Sequence, residues 1–136
     1  MKYIKKTDFT LINKMTVEQH GGNFVKPNNF LHENALDYLV EAAEGEMFGN
    51  KLYPTFAAVA ALYFHSVISN HIFQDGNKRT GLASAVLFLK LNGYNLRYVE
   101  IGKPFAPRYY FTMIVADGRY QLLECQSWFE ENIIPL

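Results

Sequence analysis

Apolar residues recur at helical spacing along most of this chain, and the polar positions between them mark where each helix should start and stop. Thr7 or Asp8 is the expected cap of a first helix reaching about Gln19, with Phe9, Ile12, Met15 and at times Thr16 on one face. His20-Gly21-Gly22 ends it, the glycines supplying positive φ. Pro27 bars helix in the loop over 23–29. Asn28 or Asn29 then caps a second helix from Leu31 to about Glu44, with Leu31, Ala35, Leu36, Leu39 and Val40 facing in. After a loop over 45–54, a third helix runs from about Pro54, a favourable first-turn residue, to Ser69. It is apolar on nearly every side, the mark of a helix at the centre of a bundle. The most apolar stretch, 82–91, predicts a fourth helix closed by Asn92-Gly93.

Beyond it the pattern weakens. Residues 94–99 alternate as a short strand would, and Gly102, Pro104 and Pro107 mark a loop. A short helix over 109–116, a turn at Asp117-Gly118 and a last amphipathic helix over 120–133 complete the reading, with Leu123, Trp128 and Phe129 as core. The pattern predicts an all-α fold, a helical bundle around a buried central pair of helices.

Composition narrows the picture. A chain of 136 residues with 49% hydrophobic content suits a single domain over 1–136 with a proper core. Thirteen Lys and Arg balance thirteen Asp and Glu, so no nucleic-acid or membrane-surface partner is expected. The lone Cys125 excludes an intramolecular disulfide and fits a reducing, cytoplasmic setting; in an amphipathic helix it reads as a small core residue. No apolar run follows Lys2, Lys5 and Lys6, so no signal peptide is expected. The stretch 56–68 is too short to span a bilayer, and His65 within it reads as a satisfied core or rim histidine.

Candidate chemistry gathers in one place, His71-Ile72-Phe73-Gln74-Asp75-Gly76-Asn77-Lys78-Arg79-Thr80, immediately before the fourth helix. Asp75 is a good N-cap, which would make Gly76, Asn77 and Lys78 the first helical positions. Their N–H groups would point out of the positive helix end, a ready anion site. Gly76 would let a phosphate reach the backbone. Lys78 and Arg79 add charge, Arg79 as a fork for two phosphate oxygens. Asp75 beside bound phosphate suits Mg²⁺, which takes few carboxylates and keeps other positions for phosphate and water. His71 is the group suited to proton transfer near neutrality, and Phe73, between polar neighbours, should turn inward and pin the loop to the core. Capped helices with a surface Lys-Arg pair are common. The joint arrangement is what points to phosphoryl or nucleotidyl transfer.

The same residues carry a family resemblance. His71-x-Phe73-x-Asp75-Gly76-Asn77-Lys78-Arg79 resembles the Fic/Doc signature, His-x-Phe-x-Asp/Glu-Gly/Ala-Asn-Gly/Lys-Arg. The resemblance is firm from about Tyr53 to Tyr94 and loose elsewhere. Lys78 stands where adenylylating Fic proteins have a second Gly, and Leu82 where many have a second Arg; both departures resemble the Doc, death-on-curing, branch. That branch implies a toxin of a toxin–antitoxin pair that phosphorylates a Ser or Thr hydroxyl of elongation factor Tu, with ATP as co-substrate and Mg²⁺. By resemblance His71 is the base, Asp75 the metal ligand, and Gly76, Asn77, Lys78 and Arg79 the phosphate cradle. The family also implies a small antitoxin partner and a flap before the third helix, assigned here to 47–53, that docks the target. Two other readings stay open, Fic-type adenylyl transfer and a catalytically silent phosphate-binding module. Ser127-x-x-x-Glu131-Asn132 fits the loose inhibitory motif of some Fic proteins, but the arginine that the Glu would pair with is Leu82 here.

Overall fold

Lys5 and Asp8 start the first helix between them. Helix α1 (Lys6–His20) begins where the Lys5 N–H donates to Asp8 Oδ2 at 2.7 Å, so Asp8 caps by reaching back from the first turn, and neither Thr7 nor Asp8 is the N-cap itself. Its buried line is Phe9, Asn13 and Val17. This is a different face from the expected one: Ile12 and Thr16 are half-buried and Met15 is exposed. Asn13 is fully buried because its amide is spent on hydrogen bonds described below. The computed structural model describes residues 1–97 and 121–136; the expected helix over 109–116, the Asp117-Gly118 turn and the Gly102–Pro107 loop lie outside the described residues.

Helix α2 (Glu33–Ala43) starts later than expected, because Asn29 adopts φ +60 and Phe30 forms a bridge to Phe73 before the helix opens at His32. Leu36, Leu39 and Ala43 are buried, Ala35 and Val40 half-buried, and Leu31 is exposed on the bridging segment. Lys6 reaches from α1 to Glu33 (2.6 Å) and Asp37 (2.8 Å) and lies over the Phe30 ring. The segment expected as the flap carries a two-stranded hairpin, β1 (Glu46–Met47) antiparallel to β2 (Asn50–Lys51). Phe48 (φ +52) and Gly49 (φ +79) form its turn, the double positive φ that a tight two-residue hairpin demands.

Helix α3 (Phe56–Ser69) is capped by Thr55, whose hydroxyl accepts from the Ala58 N–H at 3.0 Å, so Pro54 sits just outside the helix. Ten of its residues are buried, including every one from Ala57 to Phe64. Helix α4 (Asn77–Leu91) crosses it closely at Gly81, where a Cβ would lie 3.0 Å from the Phe64 carbonyl. Helix α5 (Leu122–Asn132) packs chiefly on α3 through Cys125 and Phe129; Trp128 is half-buried and Leu123, expected in the core, is exposed. Burial pushes the Cys125 thiol up to about 12, as suits an inert packing residue.

The strand expected after α4 is β3 (Tyr94–Leu96), paired antiparallel with β4 (Ile133–Pro135), which the sequence pattern had placed at a helix end. Edge-to-face contacts run through the core from Phe9 to Tyr63 (5.2 Å), Tyr63 to Phe88 (5.4 Å) and Phe64 to Phe129 (5.6 Å), joining α1, α3, α4 and α5. The architecture is all-α, a bundle around the buried α3–α4 pair with only short strand pieces. Among the described residues no helix is long and apolar enough to cross a membrane.

Candidate active site

The turn joining α3 to α4 carries residues 70–76, and burial sorts its side chains by type. Ile72 and Phe73 are fully buried, whereas His71, Gln74, Asp75, Lys78 and Arg79 are exposed. Phe73 stacks on Phe30 with centroids 5.5 Å apart. His71 takes a left-handed backbone, φ +46, where α3 has just ended. That conformation is uncommon for a residue with a side chain and is held only when neighbours over-determine it.

The neighbours are the segment before α2. Leu31 and His32 N–H groups both donate to the Ile72 carbonyl (2.8 and 3.0 Å), and the Gln74 N–H donates to the Asn29 carbonyl (2.8 Å). Gln74 Nε2 donates to the Phe30 carbonyl (2.9 Å). His32 Nδ1 lies 3.0 Å from the Asn70 carbonyl and 3.1 Å from that of His71, both acceptors, which fixes the tautomer with a proton on Nδ1. The turn is therefore braced from outside while His71 projects to solvent.

Asp75 lies one residue before the N-cap, which is Gly76 in the left-handed region (φ +77). Its Oδ1 accepts from the Gly76 N–H (2.8 Å) and its Oδ2 from the Asn23 N–H (3.0 Å). The Asn23 and Gly76 N–H groups hold its carboxyl below the usual carboxylate range. A Cβ on Gly76 would point at Asn13 Nδ2 (3.2 Å) and Val17 Cγ2 (3.3 Å), so the glycine serves the turn and its packing on α1 rather than clearing space outward. The Asn77 amide grips Phe73 twice, accepting from its N–H (3.0 Å) and donating to its carbonyl (2.8 Å). The first regular bond of α4 runs from Thr80 N–H to the Gly76 carbonyl (2.9 Å), leaving the N–H groups of Asn77, Lys78 and Arg79 at the open helix end. Among the described residues, Lys78 and Arg79 form no salt bridge.

The donor set fits Mg²⁺ beside phosphate. Among the described residues no group of three or more His, Cys, Asp or Glu side chains could cage a metal, while Asp75 keeps acceptor capacity beyond its two N–H partners. One ionised carboxylate with phosphate and water completing the shell is a common Mg²⁺ arrangement.

Sequence reasoning missed the supports: Asn13, Gly22, Asn23, Asn29 and His32. The signals were present. A buried-face asparagine sits four residues after Phe9 and four before Val17, and two consecutive glycines are one more than a helix stop requires. Of the loosely matched inhibitory residues, Ser127 and Asn132 bond carbonyls of their own helix (3.2 and 2.8 Å), and Glu131 is exposed. His65 is half-buried beside Ser69 Oγ (3.3 Å).

Comparison with known proteins finds relatives that match part of this chain. A protein named Toxin Doc from Mycolicibacterium smegmatis is 39% identical over 61 residues, 45% of this chain and 47% of that protein. One named Protein kinase doc from Escherichia phage P1 is 54% identical over 35 residues, 26% of this chain and 28% of its own. Each match thus spans less than half of the relative's length. Residues 3–89, more than half of the chain and all of α1 to the motif turn, match the Fic/DOC family. By that match, with the helical bundle and the motif turn it presents, the chain belongs to the Fic/DOC family.

Proposed function

We propose that this chain is a Doc-like toxin of a toxin–antitoxin pair, transferring the γ-phosphoryl group of ATP to a Ser or Thr hydroxyl of a target protein, with elongation factor Tu the expected target. The observation that carries this reading is the sorting of the motif turn. Its apolar members are buried and its two amides are spent on the backbone, Gln74 on Phe30 and Asn77 on Phe73, while an imidazole, a carboxylate and two cations with no salt bridge among the described residues face outward around an open helix end.

Each residue then has a role that its geometry permits. His71 takes the proton of the target hydroxyl as that oxygen accepts the phosphoryl group and ADP departs. Asp75, kept ionised by two N–H groups, holds Mg²⁺. Bound Mg²⁺ supplies neutralisation of phosphate charge. The N–H groups of Asn77, Lys78 and Arg79 and the two cationic side chains stabilise charge on the transferring group. Asn77 contributes through its backbone, since its side chain is committed to the turn. Leu82 is half-buried against the core, so its position supplies no second cation. That favours phosphoryl over adenylyl transfer. The cytoplasm is the expected compartment and a small antitoxin the expected partner; one relative is named a toxin, which supports the second.

The test is intact-mass spectrometry of elongation factor Tu after incubation with this protein, Mg²⁺ and ATP. A gain of one phosphoryl group is expected, absent with His71→Ala or Arg79→Ala. An adenylyl gain would move the chain to AMP transfer. Unmodified elongation factor Tu would send the same assay to a whole lysate, and no modified protein there would leave a phosphate-binding module.

A further inference from the structure

The loop following α1 is shaped around the Asp75 carboxylate. The Asn23 N–H donates to Oδ2 at 3.0 Å, and Gly22 beside it has φ +127. A Cβ on Gly22 would stand 2.6 Å from that same oxygen, closer than real Cβ atoms come, and 3.1 Å from Cγ, so the carboxylate would have to shift. Glycine at position 22 therefore serves twice, for its backbone and for letting the carboxylate keep this place.

The main chain beneath Asp75 is held independently. Asn13 Nδ2, fully buried, donates to the Asp75 carbonyl at 2.8 Å and to Thr80 Oγ1 at 3.1 Å. Asn13 Oδ1 accepts from Asn29 Nδ2 at 3.0 Å, and Asn29 Oδ1 accepts from the Val25 N–H at 2.8 Å. The far side of the same loop is thus tied to the same asparagine. Three elements, α1, the loop and the start of α4, fix one exposed side chain.

A lone Asp on a surface turn would otherwise move among staggered rotamers. Where a single carboxylate is the protein's whole share of a metal site, its direction decides binding, and groups that orient a ligand weigh nearly as much as the ligand itself. We infer that Gly22 and Asn23 are positioning residues for Asp75, with Asn13 as the buried anchor under them. The inference rests on the reading of Asp75 as the carboxylate that holds Mg²⁺ beside ATP.

Calorimetric titration of the full chain with ATP, in Mg²⁺ and in EDTA, separates this from plain loop packing. The variants are Gly22→Ala, Asn23→Pro, which removes the N–H, and Asp75→Asn as the benchmark, each with its melting temperature. Wild type should bind ATP more tightly with Mg²⁺. Gly22→Ala and Asn23→Pro should lose about 10–100-fold of that Mg²⁺-dependent affinity, as Asp75→Asn does, with binding in EDTA unchanged. If Gly22→Ala fails to fold, Asn23→Pro carries the test alone. Wild-type-like Mg²⁺-ATP binding in the folded loop variants would overturn the proposal while leaving the proposed function intact. So would equal losses with and without Mg²⁺, which would make the loop structural only. Wild type binding ATP identically in Mg²⁺ and EDTA would instead overturn the reading of Asp75, and the positioning role with it.

Discussion

Asp75 shows how much one backbone angle changes a side chain's task. As an N-cap it would have served its own helix; with Gly76 at φ +77 in that position, the carboxylate turns to the Gly76 and Asn23 N–H groups instead. Those bonds favour the ionised form in the folded chain, so the folded carboxyl titrates below its unfolded value of about 3.9. The sign follows from linkage: the stabilisation is complete above the unfolded value and is lost as pH falls through the folded one. Asp75 is exposed, and solvent keeps the effect small. Thermal midpoints of wild type and Asp75→Asn should therefore differ by a constant amount at neutral pH and converge below about pH 4. A gap that persists unchanged into acid would mean the two N–H bonds contribute nothing through charge.

Helix α4 illustrates packing at the level of the element, through two small residues one turn apart on its buried side. At Gly81 a Cβ would meet the Phe64 carbonyl at 3.0 Å and Ile68 Cγ1 at 3.1 Å. Gly81→Ala should cost about 1–3 kcal/mol from overpacking, exceeding the ~1 kcal/mol of helix propensity it gains. Ser84 is buried with no partner for its hydroxyl among the described residues, so Ser84→Ala should stabilise by about 1 kcal/mol. Urea midpoints of the two variants should move in opposite directions. Neither effect could be read from the sequence, where both positions are merely small. What was legible there is what local pattern controls: α3 as an all-round apolar helix and the stop at His20-Gly21-Gly22. What was not legible depends on distant partners. The inner face of α1 was misread because Asn13 is buried for its hydrogen bonds while Met15 is left outside. Strand β4 exists because β3 is beside it, and Leu31 is exposed because Phe30 and His32 are engaged with the motif turn. The motif residues themselves were visible from spacing; their supports, spread over positions 13–32, were not.

Across the whole molecule, the residues that hold the fold and those that face outward at the turn are nearly disjoint sets. The aromatic core and the polar supports Asn13, Asn29 and Asn77 lie inside or bind backbone, whereas His71, Lys78 and Arg79 make no side-chain bond among the described contacts. Removing the outward groups should therefore leave stability within about 0.5 kcal/mol, as for surface positions generally. His71→Asn should do so despite φ +46, because asparagine accepts that backbone conformation as readily. Asn77→Ala should behave in the opposite way, losing about 1–3 kcal/mol as the Phe73 N–H and carbonyl lose their partner. Denaturant unfolding of the four single variants, read beside phosphoryl transfer by the same samples, separates the two sets. His71→Asn, Lys78→Ala and Arg79→Ala should keep the wild-type midpoint and lose transfer. Asn77→Ala should lose midpoint, and its transfer should recover in part where the folded fraction is restored at lower temperature. A large fall in midpoint for Lys78→Ala or Arg79→Ala would show that these cations have a structural partner, and the outward-facing cradle would have to be redrawn without them.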